Sequence, residues 1–138
     1  MANEGELGLK QDTDIIVSRS VSHSVKEVWK ALASHEGAEA LLGPGGELGD
    51  KGDDWRANDG TFGVIRSYHA LEEVRFTWHA AEGAPRTTVT VHLGAAADGA
   101  TMVEIRHVGV PSYFDKTALE KRWETFLEKL LALADRPA

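Results

Sequence analysis

The sequence contains no cysteine, which removes disulfides, thiol catalysis and thiolate metal ligation together and leaves the redox compartment only weakly constrained. It also lacks basic excess. Fifteen Lys and Arg stand against twenty-two Asp and Glu, a net charge of −7, so a polyanion is repelled unless a local basic patch overrides the global field. Nucleic acid is therefore not an expected partner. Long apolar runs are absent too: LLALA at 130–134 is far below membrane-spanning length, and MANEGELGLK at the start has no basic region followed by an apolar stretch. No membrane insertion is expected, and the location read from these features is cytoplasmic. There is no GxSxG, no GxGxxG and no HxH or HxxxH pair among the six histidines at 23, 35, 69, 79, 92 and 107. GPGGELG lacks the Lys-Ser/Thr pair of a phosphate-cradling loop. Neither a metal nor any other cofactor is expected; His79 and His92 could meet across a hairpin, but their neighbours Thr77 and Thr90 place them toward solvent.

What is present is the balance of a folded domain. In 138 residues, 42% hydrophobic and 27% charged, there is room for one core and too little for two. Residues 1–11 show no apolar periodicity and read as a flexible tail; the domain runs over 12–136. Ile15, Val17 and Val21 alternate as in a strand. Ser24-Val-Lys-Glu27 has capping-box spacing, and Val25, Val28, Trp29 and Leu32 follow on one helical face. A second short helix over 36–42 ends at Gly43-Pro44. The Gly- and Asp-rich stretch 43–54 is a loop of open role. Strands are expected over about 54–57, 61–69, 72–80, 86–94 and 100–108, with Asp59-Gly60 and Asp98-Gly99 as turn signals. The last element, about 113–134, carries Leu119, Trp123, Phe126, Leu127, Leu130 and Leu131 on one face. Together these make an α+β fold: a curved antiparallel sheet wrapped around a long C-terminal helix, with two short helices after the first strand. The helix cannot fill the whole curve, so a cavity is the expected leftover.

VWKAL at 28–32, LLGP at 41–44, LEEVRFTW at 71–78, VEIRHVG at 103–109 and RWETFLEKLLAL at 122–133 resemble, in order and spacing, the signatures of the SRPBCC superfamily. Within it, the chain most resembles the branch related to the C-terminal domain of the heat-shock-protein-90 ATPase activator. The resemblance implies the helix-grip fold of START domains and birch-pollen allergens, with a ligand cavity between sheet and helix. It does not imply one activity, because the superfamily includes carriers, cyclases, hydrolases and chaperone partners. Two positions depart from the pattern. Leu41 stands where a Trp is favoured, and Arg122 where a Gly is favoured, which places a cation near a cavity mouth.

Strand register selects the site residues. Val103, Ile105 and His107 share one face, so His107 points inward among aliphatic side chains. It is either a ligand-orienting or acid/base group, and the one catalytic candidate, or a core histidine satisfied by a backbone carbonyl. Phe76 and Trp78 share a register; Phe62, Val64, Arg66 and Tyr68 share another. If that second face is interior, Arg66 and Tyr68 anchor a carboxylate or phenol; if exterior, Arg66 is a surface cation. Trp55, Trp123 and Phe126 complete the aromatic lining.

The expected function is binding of a small hydrophobic or aromatic molecule, lipid- or polyketide-like, in the cavity between sheet and C-terminal helix. Burying about 300 Å² of apolar surface is worth ~7 kcal/mol before association costs, so no catalytic residue is needed. One alternative is a cyclase- or hydrolase-like enzyme with His107 as acid/base and Tyr68 or Arg66 polarising a carbonyl. Another is a chaperone-partner or other protein-interaction module. The oligomeric state is left open.

Overall fold

The computed structural model describes residues 14–136. The expected tail 1–11, with residues 12 and 13, lies outside the described residues. In chain order the elements are β1 (Ile15–Val21), α1 (Val25–Ala33), α2 (His35–Leu42), β2 (Asp54–Arg56), β3 (Phe62–His69), β4 (Glu73–Trp78), β5 (Thr87–Ala95), a 3₁₀ turn (Ala97–Gly99), β6 (Thr101–Val108) and α3 (Lys116–Ala134). The strands form one curved antiparallel sheet in the order β1-β6-β5-β4-β3-β2, and α3 lies against its inner face in a helix-grip arrangement.

Local chemistry starts and stops these elements where the sequence indicates. The Ser24 hydroxyl accepts from Glu27 N–H at 3.2 Å while the Glu27 carboxylate accepts from Ser24 N–H at 3.0 Å, the reciprocal capping box of α1. Ser34 both ends α1 and caps α2, accepting from Gly37 N–H. Asp115 caps Ala118, so α3 begins at Lys116 rather than 113, and the Tyr113 side chain before it is exposed. At the β5–β6 hairpin Asp98 and Gly99 both take positive φ, 59° and 76°, the geometry that Asp-Gly tolerates. The loop before β2 is held along β3 by Gly52 N–H to Ile65 C=O, 2.7 Å, and Ile65 N–H to Asp53 C=O, 2.9 Å.

Register explains the core. Ile15, His107, Val89, Phe76 and Ile65 are successive cross-strand partners, and all five side chains are buried. Val17, Ile105, Val91, Val74 and Tyr68 form the next inward row. From α3, Trp123, Phe126, Leu127 and Leu130 fill the space above these rows. One expectation fails here. Phe62, Val64, Arg66 and Tyr68 do not share a face, because the β3–β4 register shifts between Ile65 and Ser67. A bulge adds a residue to one strand and resets the alternation after it. Ile65 therefore points in, Arg66 is exposed on the outer face, and Tyr68 returns to the inside with its ring edge-on to Trp29 at 5.4 Å.

Candidate functional site

The inner layer is a polar chain embedded in aromatic rings. Trp123 Nε1 donates to Nδ1 of His107 at 3.2 Å, and Thr87 Oγ1 lies 2.7 Å from Nε2. An indole nitrogen can only donate, so Nδ1 carries the lone pair and Nε2 the proton. The proton is then given to Thr87, whose hydroxyl donates to Trp78 C=O at 2.7 Å. His107 is fully buried, and that burial, with the nearby Arg122 charge second, pushes its pKa down to about 4. It is neutral at pH 7 with both nitrogens engaged, and its partners are side chains rather than the backbone carbonyl expected of a core histidine. Proton transfer to a ligand would first break one of these bonds.

The other sequence-selected residues fall into three places. Phe76, Trp78, Ile105 and Trp123 join His107 in the inner layer and are at most 3% exposed. Trp78 stands edge-on to His107 at 5.0 Å and to Trp123 at 6.4 Å. Trp55 is buried at the far side of the sheet, donating from Nε1 to Thr77 C=O and meeting Phe76 edge-on. Phe62 is half-buried at the β2 edge, stacked on His79 at 4.5 Å with the Arg56 guanidinium 4.8 Å above its ring. Arg66 is on the opposite face of the sheet. His79 and His92 do not meet across the hairpin, because Glu73 is the partner of His92. Among the described residues no group of three His, Asp or Glu could hold a metal ion, and no helix is long and apolar enough to cross a membrane.

Between sheet and C-terminal helix, the rings of Trp78, His107 and Trp123 pack edge-on against one another. Trp78, Ile105, His107 and Trp123 line none of the four depressions found. An opening of about 750 Å³ lies on the helical side, between α2 and α3. Its apolar wall is Ala40, Ala118, Phe126, Ala132 and Leu133, and Phe126 is the sequence-selected residue that reaches it. Lys121 and Lys129 stand at the rim. Arg122 lines it as well. Its guanidinium donates to Leu42 C=O at 3.2 Å and pairs with Asp59 at 3.4 Å. Partial burial opposes ionisation of Asp59, but hydrogen bonds from the Thr61 hydroxyl and backbone, aided by Arg122, outweigh it and hold the carboxyl below its ordinary value.

Two buried donors have no protein partner, and one of them belongs to the groove-lining Arg122. Arg122 Nε and Trp78 Nε1 are both buried and unsatisfied, and the Arg122 guanidinium carbon lies 5.4 Å from the Trp78 ring centre. A buried N–H left unpaired costs about 1–3 kcal/mol, so each of these calls for an acceptor such as a water or a ligand oxygen. Sequence reading marked Arg122 and Trp78 separately. It missed their meeting, since Asp59 reads as a turn residue and the facing sides of α2 and α3 as ordinary helix surface.

No family model and no curated protein sequence matches the chain. Solved structures do. They share its overall fold. Protein MLL2253 from Mesorhizobium loti is 22% identical over 91% of this chain and 98% of its own, with a TM-score of 0.76. The Aha1 dimer from Colwellia psychrerythraea is 20% identical over 88% of this chain and 96% of its own, at 0.70. CalU16 from Micromonospora echinospora is 21% identical over 88% and 76%, at 0.73. At these identities the likeness shows the fold.

Proposed function

We propose that this chain binds a small, mostly apolar molecule carrying an oxygen acceptor, and that the ligand lies in the groove between α2 and α3 rather than between sheet and helix. The observation that carries the reading is the unsatisfied donor Arg122 Nε, on a residue that lines an opening of about 750 Å³. That volume suits a drug-sized or lipid-like guest. A carbonyl or carboxylate oxygen would accept from Arg122, an apolar body would cover Ala40, Phe126 and Leu133, and Lys121 and Lys129 offset the Glu36, Glu39 and Asp59 carboxylates of the same lining.

The cyclase- or hydrolase-like alternative gains no observation. Its three groups do not converge: Arg66 is outside the sheet, and Tyr68 on β3 is separated from His107 on β6 by two strands, about 14 Å of sheet at ordinary strand spacing. The protein-partner alternative likewise has no specific contact in its favour.

Decanoate, an apolar chain with a carboxylate head, is the probe. Titrated into ¹⁵N-labelled full-length protein, it should shift the Arg122 Nε–H resonance downfield, with the Trp55 indole N–H unmoved. An Arg122→Met variant should lose most of the affinity while keeping its fold. No shift at Arg122 Nε–H, or undiminished binding to the variant, would reject this groove as the site. Native mass spectrometry of gently purified protein adds an independent readout, an extra small-molecule mass that the variant lacks.

A further inference from the structure

The outer face of the sheet carries a second, chemically different surface that the groove reading does not use. Arg75, Thr90 and Arg106 are successive cross-strand partners, with Ser67 opposite Arg75 on the next strand. Thr77, Thr88 and Val108 form the adjoining row. Arg66 and Arg86 flank these rows, and a depression of about 590 Å³ collects all four arginines with not one carboxylate in its lining. In a chain of net charge −7 this is a local reversal of sign. Arg75 and Arg106 each lean on a glutamate of their own strand, Glu73 and Glu104, at 3.6 Å. Arg66 and Arg86 have no ion-pair partner among the described residues.

Two further observations mark the surface as built. The β3 bulge puts Arg66 and Ser67 together on this face, where regular alternation would have sent one of them into the core. The Ser67 hydroxyl oxygen is buried in the same depression with no hydrogen-bond partner. Guanidinium forks match the tetrahedral oxygens of phosphoryl groups, and the Thr88, Thr90 and Ser67 hydroxyls supply the shorter donors between them. No aromatic side chain lines the depression, so stacked bases find no platform.

We propose that this outer surface binds a small phosphorylated molecule carrying two or more phosphoryl charges, with Arg66 and Arg86 as the uncommitted anchors. The site is independent of the groove and lies across the sheet from it.

Inorganic pyrophosphate titrated into the full chain at low ionic strength tests the assignment, with amide and arginine Nε–H resonances read by NMR. The expected result is saturable shifts at Arg66, Arg86 and Thr90, affinity that falls steeply with added salt, and at least a tenfold loss in the Arg66→Gln/Arg86→Gln double variant with its urea midpoint unchanged. Both residues are exposed, so that variant should fold. Absence of saturation at millimolar pyrophosphate, or equal affinity in the double variant, overturns the proposal. Saturable binding of an oligoglutamate peptide without binding of pyrophosphate also overturns it, in favour of an acidic protein partner.

Discussion

Trp123 gives its indole proton to His107 across 3.2 Å, and this one bond decides what the histidine can do. Because the donor has no alternative role, it fixes the tautomer and makes protonation at Nδ1 incompatible with the packed state. Folding therefore opposes the charge. In the unfolded chain the imidazole protonates near pH 6.5, and in the folded chain only near about 4. Between these values the unfolded state binds the extra proton, so stability is complete above pH 6.5 and falls with decreasing pH until about 4, by about 3 kcal/mol. Urea midpoints measured from pH 4 to 8 should show that slope. A flat profile would mean that His107 is charged or solvated in the native state.

His23 should act in the opposite sense. Its hydrogen bond with Asp135, 2.6 Å, raises its pKa above the ordinary value and ties the start of α1 to the end of α3. The resulting stabilisation is complete below pH 6.5 and disappears as pH rises through the raised folded-state value. Asp135→Asn should remove this contribution and leave the larger His107 slope exposed, which NMR titration of the two imidazoles resolves separately.

Gly63 is the tightest point of the sheet. A Cβ there would lie only 1.9 Å from the Thr77 carbonyl oxygen, the acceptor of the Trp55 indole N–H. Backbone cannot yield cheaply, so Gly63→Ala should cost about 3 kcal/mol or more and break the Trp55 hydrogen bond. Denaturant unfolding together with the Trp55 indole resonance would check it. A cost below about 1 kcal/mol would show that β3 can slide from β4 at this point.

The sequence made the helix starts, the strand spacing and the inward face of β6 legible because each rests on local chemistry or strict alternation: Ser24 with Glu27, Asp98-Gly99, and Ile105 with His107. What it concealed was set by tertiary contact. Nothing around Arg66 signals a bulge, so period-two reasoning carried Phe62, Arg66 and Tyr68 onto one face. Leu71, a residue ill suited to positive φ, nevertheless adopts 71° in the β3–β4 turn. The packing of the inner layer was hidden for a related reason: how Trp78 and Trp123 sit depends on their rotamers and on the partners of His107, none of which appears in spacing. Arg122 stood out only as a departure from a pattern, and its unpaired Nε emerged once α2, α3 and Trp78 were brought together.

The exposed strain at Leu71 yields its own expectation. A left-handed backbone costs a residue with a Cβ about 1–2 kcal/mol, while glycine's greater unfolded-state freedom takes back part of the relief. Leu71 is 45% exposed, so little packing is lost on replacement. Leu71→Gly should raise stability by up to about 1 kcal/mol, seen as a higher urea midpoint. A clear loss would mean that the side chain packs more firmly than its exposure indicates.

Three tryptophans of near-equal burial differ in one respect. Trp55 donates to Thr77 C=O and Trp123 to His107, whereas the Trp78 N–H has no partner. Replacement by Phe leaves similar voids in each case, but at positions 55 and 123 it also orphans a buried acceptor, while at 78 it removes a donor that was already unsatisfied. Without ligand, Trp78→Phe should therefore be the mildest of the three, by about 1–3 kcal/mol relative to the others in denaturant unfolding. If Trp78→Phe proves as costly as its two counterparts, its indole already has a partner in solution.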